Sequence, residues 1–354
     1  MPEGIGIVSA MPVIAVDGAD DPSLSVGLIS VVISEDTAGL YRCEATFGNW
    51  GGTKSTPDFL YFDRRKFDFG KSFKIKFGGD TLFDGKIMAL EGQFHDQGSR
   101  SINVLAEDRF QDLRMTRRTR SFEDTSDADL FSLIANDHGL TSDVDVTGPK
   151  HKVLAQVNQS DLAFMRERAR SLDAEIWMEG SKLFVKSHAS RNAGTRKLTY
   201  GQNLYEFSVI ADLANQRTSV SVSGWDVAGK KGLQYEATDS VVSGELNGGL
   251  SGASILQQAF GQRKESLAHT VPLSAQEAQV EAESYFKLMA RRFVVGRGVG
   301  DTNSRLRVGS YVKLDAVGKL FNGKYYVTEV KHVFDLARGI RTSFKVERPG
   351  IGKV

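Results

Sequence analysis

The chain has 354 residues, 40% of them apolar and 25% charged, which is ordinary for a globular protein of roughly two or three domains. Basic and acidic side chains number 45 and 44, so a net charge of +1 supplies no global field for nucleic acid or an anionic membrane. The single cysteine, Cys43, excludes an internal disulfide framework and a cysteine-based zinc site.

The N-terminus carries Glu3 and no Lys or Arg before Arg42, so it lacks the basic start of a signal peptide. The apolar run 5–16 is far shorter than the ~20 residues that cross a bilayer. The expectation is a protein made in the cytoplasm, with no membrane contact. Glycine is abundant, at 36 residues, and proline scarce, at 7, which suits strands joined by tight turns better than long helices.

In chain order, strands are expected at 25–34, 40–47, 66–77, 83–95 and 101–107. In 66–77 the period of two puts Phe67, Phe69, Phe73, Ile75 and Phe77 on one buried face and the lysines on the other. A basic run follows, Arg114, Arg117, Arg118 and Arg120. It reads as an extended link whose arginines either face solvent or contact a neighbouring subunit. Helices are expected at 127–138, capped by Ser126, and 161–172, capped by Ser160. Leu133, Met165 and Leu172 should be buried. Strands at 174–178 and 182–186 close this part as a small α/β unit. After a strand at 218–223, the box Ser274-Ala275-Gln276-Glu277 starts a helix to about Arg292. The run Gly296-Arg297-Gly298-Val299-Gly300-Asp301 mimics a phosphate loop, but no helix follows it, so it reads as a flexible inter-strand loop. Strands are expected again at 310–314, 324–334 and 342–347.

Two distant stretches match without a gap. Ser72-Phe73, Leu82-Phe83-Asp84-Gly85-Lys86 and Glu91 recur as Ser310-Tyr311, Leu320-Phe321-Asn322-Gly323-Lys324 and Glu329, always 238 positions on. Asp-Gly and Asn-Gly are hairpin-turn pairs. The reading is one β-unit present twice, so that three chains would present six similar units around one axis. Asp84, Gly85 and Lys86, with Asn322, Gly323 and Lys324, become candidate hairpin tips for docking a partner.

The stretch Gly309-Ser310-Tyr311-Val312-Lys313-Leu314, then Phe321-Asn322-Gly323-Lys324-Tyr325-Tyr326-Val327-Thr328 and His332-Val333-Phe334-Asp335, resembles the hub part of phage late control protein D. Met165-Arg166-Glu167-Arg168-Ala169 and Ala174-Glu175-Ile176-Trp177 resemble the middle domain of that family, and the helix after Ser274 resembles the one before its second barrel. The first part of the valine-glycine repeat protein G of type VI secretion is a relative. The resemblance implies an α+β, β-rich fold: a tube-like β-barrel in 1–118, an α/β domain in 119–195, and a second tube-like barrel in 196–354 with a helical insertion at about 252–292. It also implies a homotrimeric baseplate hub joining a six-fold tube or tube adaptor to a separate three-fold spike among other baseplate proteins. The particle would be a phage tail, bacteriocin or injection system.

Other chemistry finds little support. His95, His138, His151, His188, His269 and His332 are scattered, without metal-ligand spacing. No Gly-x-Ser-x-Gly nucleophile motif occurs. The expectation is no catalytic residue, cofactor, metal or specific nucleic-acid partner. A cell-wall-degrading tail component would need convergent carboxylates or a metal cluster. A carbohydrate-binding β-module would expose aromatics on loops, whereas most Phe here fall at buried strand phase.

Overall fold

The computed structural model describes residues 11–52, 56–96, 98–226, 229–268 and 271–352. His269 and the first part of the leading apolar run lie outside them.

The first third runs β1 (Val13–Val16), β2 (Ala19–Asp20), α1 (Pro22–Gly27), β3 (Leu28–Asp36), β4 (Tyr41–Gly48), β5 (Ser72–Phe77), β6 (Asp80–Gln93) and β7 (Ser101–Glu107). Alternation builds β5: Phe73 and Ile75 are fully buried, while Lys74 and Lys76 pair outward with Asp84 and Asp20. Gly78 and Gly79, with φ of 57° and 90°, make the two-residue turn into β6, a conformation that favours glycine. Phe47, Phe67, Phe73 and Phe83 centre this core, each contributing about 1.5–3 kcal/mol by leaving water. The strand expected at 66–77 begins only at Ser72. Phe69 precedes it and is 56% exposed, because no pleat carries it to the inner face.

The middle third holds α2 (Phe110–Arg114), β8 (Arg117–Ser126), α3 (Asp127–Asp137), β9 (Thr141–Asp145), β10 (Lys150–Ser160), α4 (Asp161–Ser171), β11 (Ala174–Glu179) and β12 (Lys182–Ser187). Ser126 and Ser160 cap α3 and α4 by accepting from the N–H groups of Asp129 and Ala163. The basic run does not form an isolated link, since β8 pairs antiparallel with β10. Met165 is fully buried and Leu172 nearly so, but Leu133 is 48% exposed. Leu130, Phe131 and Ile134 supply the inner stripe of α3 instead.

The last third runs β13 (Thr195–Thr199), β14 (Leu204–Ala211), β15 (Ser219–Asp226), β16 (Lys231–Thr238), a 3-10 turn over Asp239–Glu245, β17 (Leu250–Ser251), α5 (Gly252–Phe260), β18 (Lys264–Leu267), α6 (Ala275–Arg291), β19 (Val294–Asp301), β20 (Tyr311–Asp315), β21 (Gly323–Asp335), β22 (Gly339–Arg348) and β23 (Gly350–Ile351). The helical insertion is larger than expected. It starts after β14 and includes the three-stranded sheet β16-β15-β18, on which α6 packs. The run 296–301 is strand β19 and not a loop. A side chain at Gly298 would strike Phe344, and one at Gly296 would strike Phe207, so glycine lets these rings lie on the backbone.

Thirteen of the described strands form one sheet, in which β14-β19-β22-β21 and β3-β4-β7-β6 follow one another in the same order. Among the described residues this path does not close into a barrel. β20 flanks β21 as β5 flanks β6. The irregularities also coincide. The bulge between Ile87 and Ala89 in β6 has its counterpart between Val327 and Glu329 in β21. The one between Leu28 and Ser30 in β3 has its counterpart between Leu204 and Glu206 in β14. Gly70 and Gly309, with φ of 79° and 85°, bond their N–H groups to Ile87 O and Val327 O at corresponding places.

The duplication is therefore built into strand order and register. Its equivalences differ from those the motifs gave. Ser72 matches Tyr311, and Lys86 matches Tyr326, because both pairs occupy the same rung beside the bulge. The two sets meet where β21 pairs antiparallel with β3, from Glu329 opposite Asp36 to Asp335 opposite Ser30.

Candidate functional site

The residues expected at hairpin tips are not equivalent. Asp84 and Gly85 lie inside β6, opposite Lys74 and Phe73, with the turn at Gly78-Gly79 beyond them. A side chain at Gly85 would meet the Glu107 carbonyl and Phe83, so its glycine serves strand packing. Asn322 and Gly323 close a longer loop, 316–322, where the Asn322 side chain accepts from the Val317 N–H. Register matches Asp84 with Lys324 and leaves Asn322 without a counterpart in the first turn. Lys86 and Lys324 are both exposed, and Lys324 sits 3.6 Å from the Tyr311 ring centroid.

The arginine run is engaged within the chain. Arg120 donates to Gln156 at 2.9 Å, Asp137 at 2.8 Å and Asp161 at 2.9 Å, and its guanidinium lies over Phe122. Arg118 stands 3.4 Å from Asp161, and His138 bonds the same carboxylate at 2.8 Å. Burial would raise the Asp161 carboxyl, but His138, Gln156 and the two arginines together hold it below the usual range. Arg114 pairs with Glu107 and Arg117 bonds the Asn158 carbonyl, both from exposed positions.

A buried ionic junction, which the sequence did not reveal, ties the three parts together. Glu35 at the end of β3 accepts from Arg307 Nε at 2.7 Å and from the Val308 N–H at 3.2 Å. Arg191, after β12, stands 3.6 Å from Glu35 and donates to Glu175 of β11 at 2.7 Å. Tyr326 of β21 donates its hydroxyl to that same Glu175 oxygen at 2.7 Å. Burial opposes the Glu35 charge, but Arg307 and Arg191 outweigh it and hold the carboxyl below its ordinary value. Arg291 at the end of α6 pairs with Asp173 and Glu245. Burial disfavours its charge, yet the two carboxylates raise its pKa. A polar cleft of about 1050 Å³ opens beside the junction, lined by Arg166, Arg170, Asp173, Glu347 and others. Asp173 is held by Arg291, and among the described residues no set of three His, Cys, Asp or Glu could hold a metal.

Most Phe side chains are buried, and one surface departs from that pattern. Trp50, Phe59, Phe62 and Phe94 are exposed, and they pack on one another with ring centroids 4.9–6.0 Å apart. Arg100 lies 3.7 Å over Trp50. The loop after β4 and the turn after β6 bring these rings together from separate stretches.

The fold made by this duplicated sheet and the α/β unit is shared with solved phage tail proteins. The 43 kDa tail protein of prophage MuSo2 from Shewanella oneidensis matches with a TM-score of 0.73 at 12% identity, over 96% of this chain and 99% of that one. A tail protein from Neisseria meningitidis MC58 matches at 0.67 and 13%, over 97% and 98%. The Escherichia coli c3393 protein, a type VI secretion component described as structurally similar to T4 bacteriophage tail proteins gp27 and gp5, matches at 0.59 and 11%, over 96% and 79%. The chain itself belongs to the Alg8 N-terminal domain family, whose model matches residues 9–335. No curated protein matches it by sequence.

Proposed function

We propose that the chain is a structural hub subunit of a contractile phage tail, bacteriocin or injection particle. It acts as a homotrimer that adapts a six-fold tube to a three-fold spike, and performs no chemistry. The observation that carries this reading is the pair of four-strand sets with the same order and the same bulges. Two equivalent sets per chain let a three-fold ring offer six similar rims. Each set would form one tube-like barrel wall within the segments 1–118 and 196–354, with 119–195 packed outside. The fold shared with the tail proteins supports the same reading.

The turn at Gly78-Gly79 and the loop 316–322 cap equivalent hairpins, so they would meet equivalent surfaces of the tube or its adaptor. Lys86 and Lys324 would add charge to the two walls, and Arg114 and Arg117 could reach a neighbour once their exposed partners are exchanged. The native mass of the purified chain, followed by particle assembly with tube and spike proteins, tests the reading. Three copies incorporated into particles are expected. A persistent monomer excluded from particles would refute it.

A further inference from the structure

The cleft beside the ionic junction carries unbalanced positive charge. It runs between the C-terminal halves of α4 and α6 and the end of the long sheet, where β3 turns into β4 and where β14 and β22 finish. Its carboxylates are already engaged. Asp173 and Glu175 pair with arginines of the junction, Glu265 with Arg217 and Glu329 with Lys345. Asp36 and Asp212 accept N–H groups within their own turns. Burial pushes the Glu347 carboxyl up to about 7, so it resists taking a charge. Three lining cations remain, Arg166, Arg170 and Arg292, which make no ion pair among the described residues.

Their placement is costly without an anion. Arg166 and Arg170 lie one turn apart on α4 and so share a helix face. Burial disfavours the Arg166 charge, and Arg114 and Arg170 add to this, while Asp36 and Asp108 only partly offset it. Arg166 Nε is buried and donates to no group among the described residues. A guanidinium N–H has no other role than donor, and buried donors in folded proteins are normally paired. His188, only 5% exposed, lines the same cleft, and its Nε2 is also buried without a partner among the described residues. The rest of the lining is partly apolar. Ile210 and Val295, 56% and 37% exposed, lie there with Leu288. At about 1050 Å³ the cleft lies at the top of the range for small-molecule sites.

We propose that this cleft docks an acidic, partly apolar polypeptide segment of a partner protein. Its carboxylates pair with Arg166, Arg170 and Arg292, and its apolar side chains cover Val295 and Leu288. Carboxylate suits guanidinium because the two planar groups match in a fork of parallel hydrogen bonds. An inorganic anion would satisfy the arginines but leave the apolar lining in water. The surface is one that the hub reading leaves unassigned, and the inference does not depend on that reading.

Fluorescence anisotropy with the full-length protein and a fluorescein-labelled peptide of alternating Glu and Leu tests it. Saturable binding that weakens with added salt is expected. Arg166→Gln, Arg170→Gln and Arg292→Gln should each weaken it about tenfold, the worth of one hydrogen bond between charged groups. Arg64→Gln with Arg65→Gln, exposed arginines outside the cleft, should leave it unchanged. Melting temperatures separate lost binding from lost fold. If Arg166→Gln lowers its own, Arg170→Gln and Arg292→Gln carry the test, since both positions are exposed. Failure of the Glu-Leu peptide to bind overturns the proposal, and so does equal binding of a Lys-Leu peptide. The same loss from the Arg64 and Arg65 variant overturns it too, because the attraction would then be general. Binding of inorganic phosphate without binding of the peptide would make the cleft a small-anion site and overturn the polypeptide partner.

Discussion

Arg307 reaches across 272 residues of sequence to donate to both carboxylate oxygens of Glu35, at 2.7 and 3.2 Å. The pair fastens the loop before β20 to the end of β3, alongside the β21–β3 junction. Removing one partner of a buried pair leaves an uncompensated charge, which costs about 3–5 kcal/mol. Glu35→Ala should therefore lower thermal stability sharply, because both Arg307 and Arg191 lose their shared acceptor. Glu35→Leu combined with Arg307→Met should lose less than the two single changes added together. Thermal unfolding of the three variants reads this directly, and strict additivity would show that the pair does not act as a unit.

Asp108 gives the fold a pH dependence of the opposite kind. Its carboxyl is pushed up to about 7, chiefly by burial, even though the Phe110 N–H donates to it. In the unfolded chain such a carboxyl ionises near 3.8. Below 3.8 both states hold the proton and the group is neutral to stability. As pH rises from there through 7, the unfolded state ionises freely while the folded state resists, so stability is lost. Asp108→Asn keeps an acceptor for Phe110 without a charge. It should match the wild type near pH 4 and exceed it by a few kcal/mol at pH 8. Denaturant midpoints across that range check it, and a pH-independent difference would contradict this account.

Local features were legible in the sequence because their causes are local. The serine caps of α3, α4 and α6, the alternation in β5 and the apolar stripe through Met165 all lie within a few residues of what they organise. The duplication was visible too, but its alignment slipped. Asp-Gly at 84–85 looks like a turn and is held inside a strand by Lys74 and Phe73, while Gly78-Gly79 makes the turn. The ionic junction left no trace, since Glu35, Arg191, Glu175 and Arg307 become neighbours only when three segments pack. The exposed aromatic cluster was hidden for the same reason, with Trp50 and Phe62 drawn from the loop after β4 and Phe94 from the turn after β6.

The contrast between Met165 and Leu133 tests the middle unit. Met165 has no exposure and sits among Leu130, Phe131 and Ile176, so Met165→Asp would place an unpaired charge in that core. A loss of several kcal/mol is expected. Leu133 is half in solvent, and Leu133→Asp should stay within about 0.5 kcal/mol of wild type. Melting temperatures decide it. Equal effects of the two changes would place the inner face of α3 and α4 elsewhere.

The glycines of β19 settle what the run 296–301 does. In a phosphate loop, glycine lets backbone N–H groups approach an anion ahead of a helix. Here Gly296, Gly298 and Gly300 alternate along a strand, with Gly298 between Phe344 of β22 and Leu204 of β14. A methyl group at Gly298 would come within 2.6 Å of the Phe344 ring and 3.1 Å of Leu204. Both neighbours belong to a packed core, so neither can swing clear as a surface side chain would. Overpacking of this kind costs about 1–3 kcal/mol. Gly298→Ala should therefore lower the melting temperature, and Gly298→Val should lower it further. Adding Phe344→Leu to Gly298→Ala removes the ring that blocks the methyl group, so the double variant should be less destabilised than the two single changes added together. ATP or GTP should leave the melting temperature of the wild type unchanged, because a ligand that binds only the folded state raises it. A nucleotide-dependent increase that Gly298→Ala abolishes would restore the phosphate-loop interpretation. Full tolerance of Gly298→Val would show that the Phe344 ring and Leu204 do not require the bare backbone.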